Sequence, residues 1–294
     1  MTERYECGID VAAVTAIDIH THVEVDCSGH HAYDDELVDA TRSYFKMGTA
    51  AAATIDELAA HYRQRNAAAV VFTIDAETAT GHPPNSVADL IGGAARHHDV
   101  LIPFGTVDPL RPERAVAAVR EQVSLGVRGF KFHPSVQGFE PNDRTYYPIY
   151  EAIEAAGLPA LFHTGQTGLG SGLPGGHGIK LRYSDPMLLD DVAADFPGLT
   201  IVMAHPAVPW VEAQIAIVAH KANVYLDLSG YAPKYFPPQL VSALGRQLRT
   251  KALFGTDYPY VQMDRWRREF AALELGSETE ELILKANAMR VLGL

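Results

Sequence analysis

Short apolar, β-branched runs recur along this chain, separated by longer stretches with helical periodicity. Val14-Thr15-Ala16-Ile17 reads as a first strand running into Asp18-Ile19-His20-Thr21-His22. Similar runs at 67–73, 101–107, 127–133, 158–163, 199–205, 224–228 and 252–255 predict seven more strands. Between and after them the pattern predicts helices at 54–64, 85–98, 112–125, 145–156, 184–196, 208–220, 238–248, 264–275 and 277–292. Local signals support these limits. Thr54 with Glu57 forms a capping box, Asn85 is a cap, Pro112 sits in a first turn, and Gly157 stops a helix.

Eight strands alternating with helices imply a parallel sheet covered by helices, and the expected fold is a single (β/α)8 TIM barrel over residues 1–294. An open doubly wound sheet is the rival. It is disfavoured because polar residues end the first, fourth, fifth, sixth and eighth runs, which converge only at a barrel mouth, and no glycine cluster has dinucleotide-binding spacing. Two segments interrupt the repeat. Residues 23–52 lack clear periodicity and are expected to be a lid insertion. Residues 165–178 hold seven glycines without the lysine of a Walker loop, so they suit close approach to a ligand rather than a phosphate cradle.

Charge narrows the partners. Against 36 acidic residues stand 24 Lys and Arg, a formal charge of -12, which argues against nucleic acid and leaves a small-molecule substrate. Cys7 and Cys27 are the only cysteines, no run has signal-peptide character and no apolar run reaches membrane-spanning length, so a cytoplasmic protein without membrane attachment is expected.

The candidate chemistry lies at the strand ends. His20 and His22, two apart on a strand, face one way and can share a divalent metal, although one buried and one exposed histidine fit the spacing too. His163 ends the fifth run and Asp257 the eighth, in Phe254-Gly255-Thr256-Asp257-Tyr258-Pro259. Three imidazoles and one carboxylate suit a single zinc, manganese or iron ion, whose bound water Asp257 could deprotonate. As a turn or cap residue, Asp257 would have no such role. His205, in Met203-Ala204-His205-Pro206, is a general acid/base, an electrostatic support for water or a developing oxyanion, a fifth ligand or a structural histidine. Lys131 and His133, in Gly129-Phe130-Lys131-Phe132-His133-Pro134, face the barrel interior. Lys131 is open to three readings: carbamylated metal bridge, anion-binding ammonium, or partner of Asp18 or another acid. His133 would touch substrate or support the metal water. Arg182 either grips an anion or faces solvent, and Tyr258, with Tyr183, Trp210, Tyr231 and Tyr260, offers an aromatic rim for substrate.

Taken together, the first-strand His-x-His, the strand-five His163, the His205-Pro206 pair and Asp257-Tyr258-Pro259 resemble the second amidohydrolase family, whose best-known branch is aminocarboxymuconate semialdehyde decarboxylase. The resemblance implies a distorted (β/α)8 barrel with one zinc, sometimes manganese, per chain. It gives the metal to His20, His22, His163 and Asp257, acid/base work to His205, and implies a homo-oligomer such as a dimer. Lys131 also resembles the bridging lysine of binuclear amidohydrolases. One branch of the family removes CO₂ from aromatic or muconate-type acids. The other hydrolyses lactones or cleaves β-keto thioesters with water. The long glycine-rich loop departs from the decarboxylase pattern. The first expectation is therefore a metal-dependent hydrolase acting on the carbonyl of a small anionic substrate, with non-oxidative decarboxylation as the alternative.

Overall fold

A computed structural model describes residues 4–47 and 53–294. Its strands are β1 Ala16–His22, β2 Ala67–Phe72, β3 Leu101–Pro103, β4 Phe130–Phe132, β5 Ala160–His163, β6 Ile201–Ala204, β7 Val224–Asp227 and β8 Ala252–Leu253. Every pairing between them is parallel and sequential, in ladders β1-β2-β3 and β4-β5-β6-β7-β8. A bridge between Gly105 and Phe130 joins the ladders at one seam and a bridge between Thr21 and Tyr258 at the other. Backbone bonds from Ile19 N to Phe254 O (3.0 Å) and from His22 N to Tyr258 O (2.9 Å) complete the second seam. The sheet is therefore closed, as the eightfold alternation predicts.

Two apolar layers follow from the two-residue period of the strands. One faces the flanking helices and includes Val71, Phe130, Phe132, Phe162 and Met203. The other fills the barrel with Ile17, Ile19, Val70, Ile102, Leu161, Val202 and Leu253, joined by Ala288 and Leu292 of the last helix. Strict alternation would place His20 outside with Asp18. The β1–β2 register shifts between Asp18 and Thr21, and this irregularity turns His20 and His22 inward while Asp18 points out to Tyr62.

The helices follow their sequence signals closely. Thr54 and Glu57 form both bonds of the capping box that starts Ile55–Arg63. Gly157 takes φ 66° just after Tyr147–Ala155. The cap of Val87–Arg96 is Ser86, one residue beyond the expected Asn85, whose side-chain amide is spent on Val23 O. Within 23–52, expected to be structureless, a helix runs from Asp35 to Phe45, with Asp34 accepting from Leu37 N. The end of that expected insertion, 48–52, lies outside the described residues. Among the described residues no helix is long and apolar enough to cross a membrane.

Candidate active site

β1 delivers His20 and His22 to the barrel mouth, and the turn after β8 delivers Asp257. The Nε2 atoms of His20 and His22 stand 3.2 and 2.9 Å from Asp257 Oδ1. Asp257 sits at φ 63°, a left-handed conformation that Asp tolerates better than most residues, and its N–H donates to His20 O at 2.9 Å. The three donors lie within 4.8 Å of one another and all point into one cavity. Below them Asp18, wholly buried, accepts from Tyr62 Oη and Thr256 Oγ1 (both 2.6 Å) and from the N–H groups of His20 and Thr256 (both 3.0 Å). One carboxylate thus ties the ends of β1 and β8 together beneath the donors. This also corrects one reading of Lys131, because Asp18 is saturated by these partners.

Sequence reasoning passed over Asp227 as the body of a strand. It ends β7, is wholly buried, and its Oδ2 accepts from His20 Nδ1 at 2.6 Å. A carboxylate on Nδ1 leaves the His20 Nε2 lone pair free for a metal. Ser229 donates to the same Asp227 through Oγ (2.7 Å) and N (2.9 Å), and His205 Nδ1 meets Ser229 Oγ at 2.7 Å. A lone acid inside the apolar run Val224-Tyr225-Leu226-Asp227-Leu228 was the available signal. His20, His205 and Asp227 form a second compact donor group. Its carboxylate is already engaged three times over, so it reads as support for His20.

His163 lines the same cavity but lies outside the compact groups; its ring centre is 5.0 Å from that of His205. It stacks on His133 at 3.8 Å and 10°. His163 Nε2 and His133 Nδ1 are buried, without a hydrogen-bond partner among the described residues. Buried imidazole nitrogens without partners, beside a carboxylate and two further imidazoles, are what a divalent ion would satisfy, so the residues present fit one. Lys131 Nζ stands 3.3 Å from His20 Nε2 and lies over the Phe72 ring.

Electrostatics match this crowding. Burial lowers the Lys131 pKa to about 7, and burial reinforced by Lys131 lowers that of His163 to about 3. Burial holds His205 and His133 well below the usual imidazole value and lowers His22. For His20, burial and Lys131 pull downward, yet Asp227 and Asp257 leave its pKa raised. Burial works upward on Asp257, but His205 and His20 hold its carboxyl well below the ordinary range. The site is thus an ionised carboxylate among largely neutral imidazoles, the protonation state that metal binding needs.

The cavity encloses about 1070 Å³, including its open mouth. Its wall is mostly apolar, and Tyr33, Phe45, Leu169, Tyr231 and Tyr260 line it together with the donors. The helix Asp35–Phe45 forms one side, with Phe45 stacked on Tyr260 at 4.3 Å. The glycine-rich loop forms another, and a Cβ on Gly168 would sit 2.4 Å from the Phe45 ring. Gln166 donates to Tyr44 Oη at 3.1 Å, linking loop and helix. Of the residues expected to contact substrate, Lys131 and His133 line the cavity. Arg182 and Tyr258 are corrected. Arg182 is exposed, near Glu140 and over the Tyr183 ring, and Tyr258 packs on His61 at 4.5 Å. Tyr183 and Trp210 also lie off the cavity. Besides Lys131, the wall carries Arg42, from the insertion helix that the sequence did not reveal.

The amidohydrolase family model matches residues 17–294 of this chain. No curated protein matches it. Among solved structures, an uncharacterised TIM-barrel protein from Bordetella bronchiseptica superposes with TM-score 0.75 at 23% identity, covering 95% of this chain and 98% of that one. The 5-carboxyvanillate decarboxylase of Novosphingobium aromaticivorans, complexed with manganese and a nitrobenzoic acid, gives TM-score 0.63 at 16% identity over 100% of both chains. A 2,6-dihydroxybenzoate decarboxylase complexed with 2,6-dihydroxybenzoate gives 0.67 at 15%, covering 96% of this chain and 100% of that one.

Proposed function

The chain belongs to the amidohydrolase family, and from that premise we propose that it is a metal-dependent, non-oxidative decarboxylase of a small aromatic or muconate-type acid. This is the alternative of the sequence expectation, moved ahead of hydrolysis. The observation that carries it is the aromatic, largely apolar wall over the His–Asp donors, which suits a flat unsaturated acid. The decarboxylases among the similar structures support the same choice. Zinc or manganese held by His20, His22, His163 and Asp257 would supply Lewis-acid polarisation of substrate oxygens.

The chain's own residues do the rest. The stacked Phe45–Tyr260 pair forms one wall against the substrate ring. Arg42, at the rim, pairs with an anionic substituent and sets which end of the substrate enters first. The carbon–carboxyl bond breaks with its electron pair left on the substrate carbon, and CO₂ departs. His205 first accepts a proton from solvent and then delivers it to that carbon, which returns the ring to its neutral state. Helix Asp35–Phe45 and the glycine-rich loop keep bulk water from the carbanion-like carbon.

The test offers 2,6-dihydroxybenzoate and 5-carboxyvanillate, then muconate-type acids, to manganese- and zinc-loaded protein in D₂O enriched in ¹⁸O. The expected product has lost one carboxyl as CO₂ and carries one carbon-bound deuterium. Turnover of a lactone or β-keto thioester that places solvent ¹⁸O in product, with no acid losing CO₂, would overturn the proposal in favour of hydrolysis.

A further inference from the structure

His205 does not meet the cavity as a freely turning imidazole. Its Nδ1 is 2.7 Å from Ser229 Oγ, and Ser229 Oγ is 2.7 Å from Asp227 Oδ2. Asp227 and Ser229 are both wholly buried. A hydroxyl has one proton to give. An ionised carboxylate can only accept, so the Ser229 proton points to Asp227. The Ser229 oxygen is then an acceptor towards His205, and Nδ1 must carry the hydrogen. The same carboxylate takes Ser229 N–H and His20 Nδ1–H, so every donor around it points inward.

Two glycines make room for this arrangement. At Gly230, φ is +77°, and a Cβ there would lie 2.7 Å from Cγ and Nδ1 of His205. At Gly255 a Cβ would lie 2.2 Å from Asp227 Oδ1 and 2.8 Å from Ser229 Cβ. The backbone has been cleared on both sides of the chain of bonds, which marks it as built around the His205 ring.

We infer that Ser229 is a positioning residue that, with Asp227, fixes neutral His205 as the Nδ1–H tautomer, so that Nε2 presents a lone pair to the cavity. His205 therefore enters the cycle as a proton acceptor, and cannot begin it by donating an N–H to a developing oxyanion. It returns as acid only the proton it has first taken. Through Asp227, one carboxylate sets both this ring and that of His20, so the proton-accepting residue and a candidate metal ligand share a single anchor. The proton-transfer role rests on the proposed reaction; the tautomer does not, and can be measured without turnover.

The test is ¹⁵N NMR of the whole zinc-loaded protein labelled at histidine, with His205 identified by its absence in a His205→Gln sample. The expected spectrum shows His205 with hydrogen on Nδ1 and a bare Nε2. In Ser229→Ala the population ratio of that form falls about fivefold, the factor carried by one net hydrogen bond. Ser229→Thr, which keeps the hydroxyl, restores it. A wild-type His205 with hydrogen on Nε2 overturns the inference, whatever the variants do. So does a tautomer ratio unchanged in a folded, zinc-loaded Ser229→Ala protein. Failure of decarboxylation with this tautomer present would count against the proposed reaction alone.

Discussion

Replacing Asp227 with Asn barely changes size but reverses hydrogen-bond polarity beside His20. The wild-type carboxylate accepts from His20 Nδ1 (2.6 Å), Ser229 Oγ (2.7 Å) and Ser229 N (2.9 Å). An asparagine oxygen can keep the backbone donor, but its NH₂ then faces the imidazole. His20 answers with a lone pair on Nδ1, and its hydrogen moves to Nε2, the atom pointing at Asp257. Binding a metal must undo that arrangement, at the cost of about one hydrogen bond to a charged group, about 1.5–3 kcal/mol. The expected loss in metal affinity is thus about 10–100-fold, in line with what partners behind metal-ligating histidines usually contribute. Zinc affinity by chelator competition, wild type against Asp227→Asn at one pH, measures it. Urea unfolding of both metal-free proteins checks that the fold is intact. An affinity within about twofold of wild type would refute the reasoning, because it would mean the bond to Nδ1 does not hold Nε2 in readiness. A loss beyond about a thousandfold would mean that Asp227 is itself a ligand.

Two further predictions concern the rim and the floor of the site. Arg42→Leu is expected to raise KM for an aromatic acid bearing a second anionic group about tenfold with kcat little changed, since Arg42 lines the cavity from the helix Asp35–Phe45 and not from the strand ends that carry the donors. Steady-state kinetics check it, and a fall in kcat at constant KM would contradict it. Asp18 is wholly buried and its pKa is raised from 3.8 to about 6, because burial outweighs the bonds from Thr256 and Tyr62. A carboxyl raised on folding contributes stability that is fully present below its unfolded pKa and lost as pH rises through the folded one. The metal-free wild type should therefore lose up to about 3 kcal/mol relative to Asp18→Asn between about pH 4 and pH 7. Parallel pH dependences of the two urea midpoints would contradict this.

The barrel was legible because parallel strands buried on both faces leave continuous apolar runs, and this chain has eight. Strand-end polar residues were legible for the same reason: His163 and Asp257 break apolar runs at their ends. Asp227 breaks one too, but with Leu228 after it the run reads on as strand, and its bond to His20 is a contact across 207 positions. The inward turn of His20 depends on a register shift between β1 and β2 that no single strand reveals. Arg182 follows the glycine-rich loop and Tyr258 a strand end, yet side-chain direction in such segments is set by local dihedrals, and Tyr260, two residues after Tyr258, is the ring that reaches the cavity. The helix Asp35–Phe45 was hidden because it buries only Leu37 and Thr41 and so carries little apolar periodicity, although Asp34 and the acidic Asp35-Glu36 start are ordinary helix-opening signals.

We propose that one divalent ion sits between His20, His22, His163 and Asp257. Anomalous diffraction from crystals of zinc- or manganese-loaded protein tests it most directly. The expected result is one strong peak about 2.1 Å from an imidazole nitrogen of each of the three histidines and from a carboxylate oxygen of Asp257. A fully loaded, active protein with no peak there, or with its peak on Asp227 instead, would contradict it.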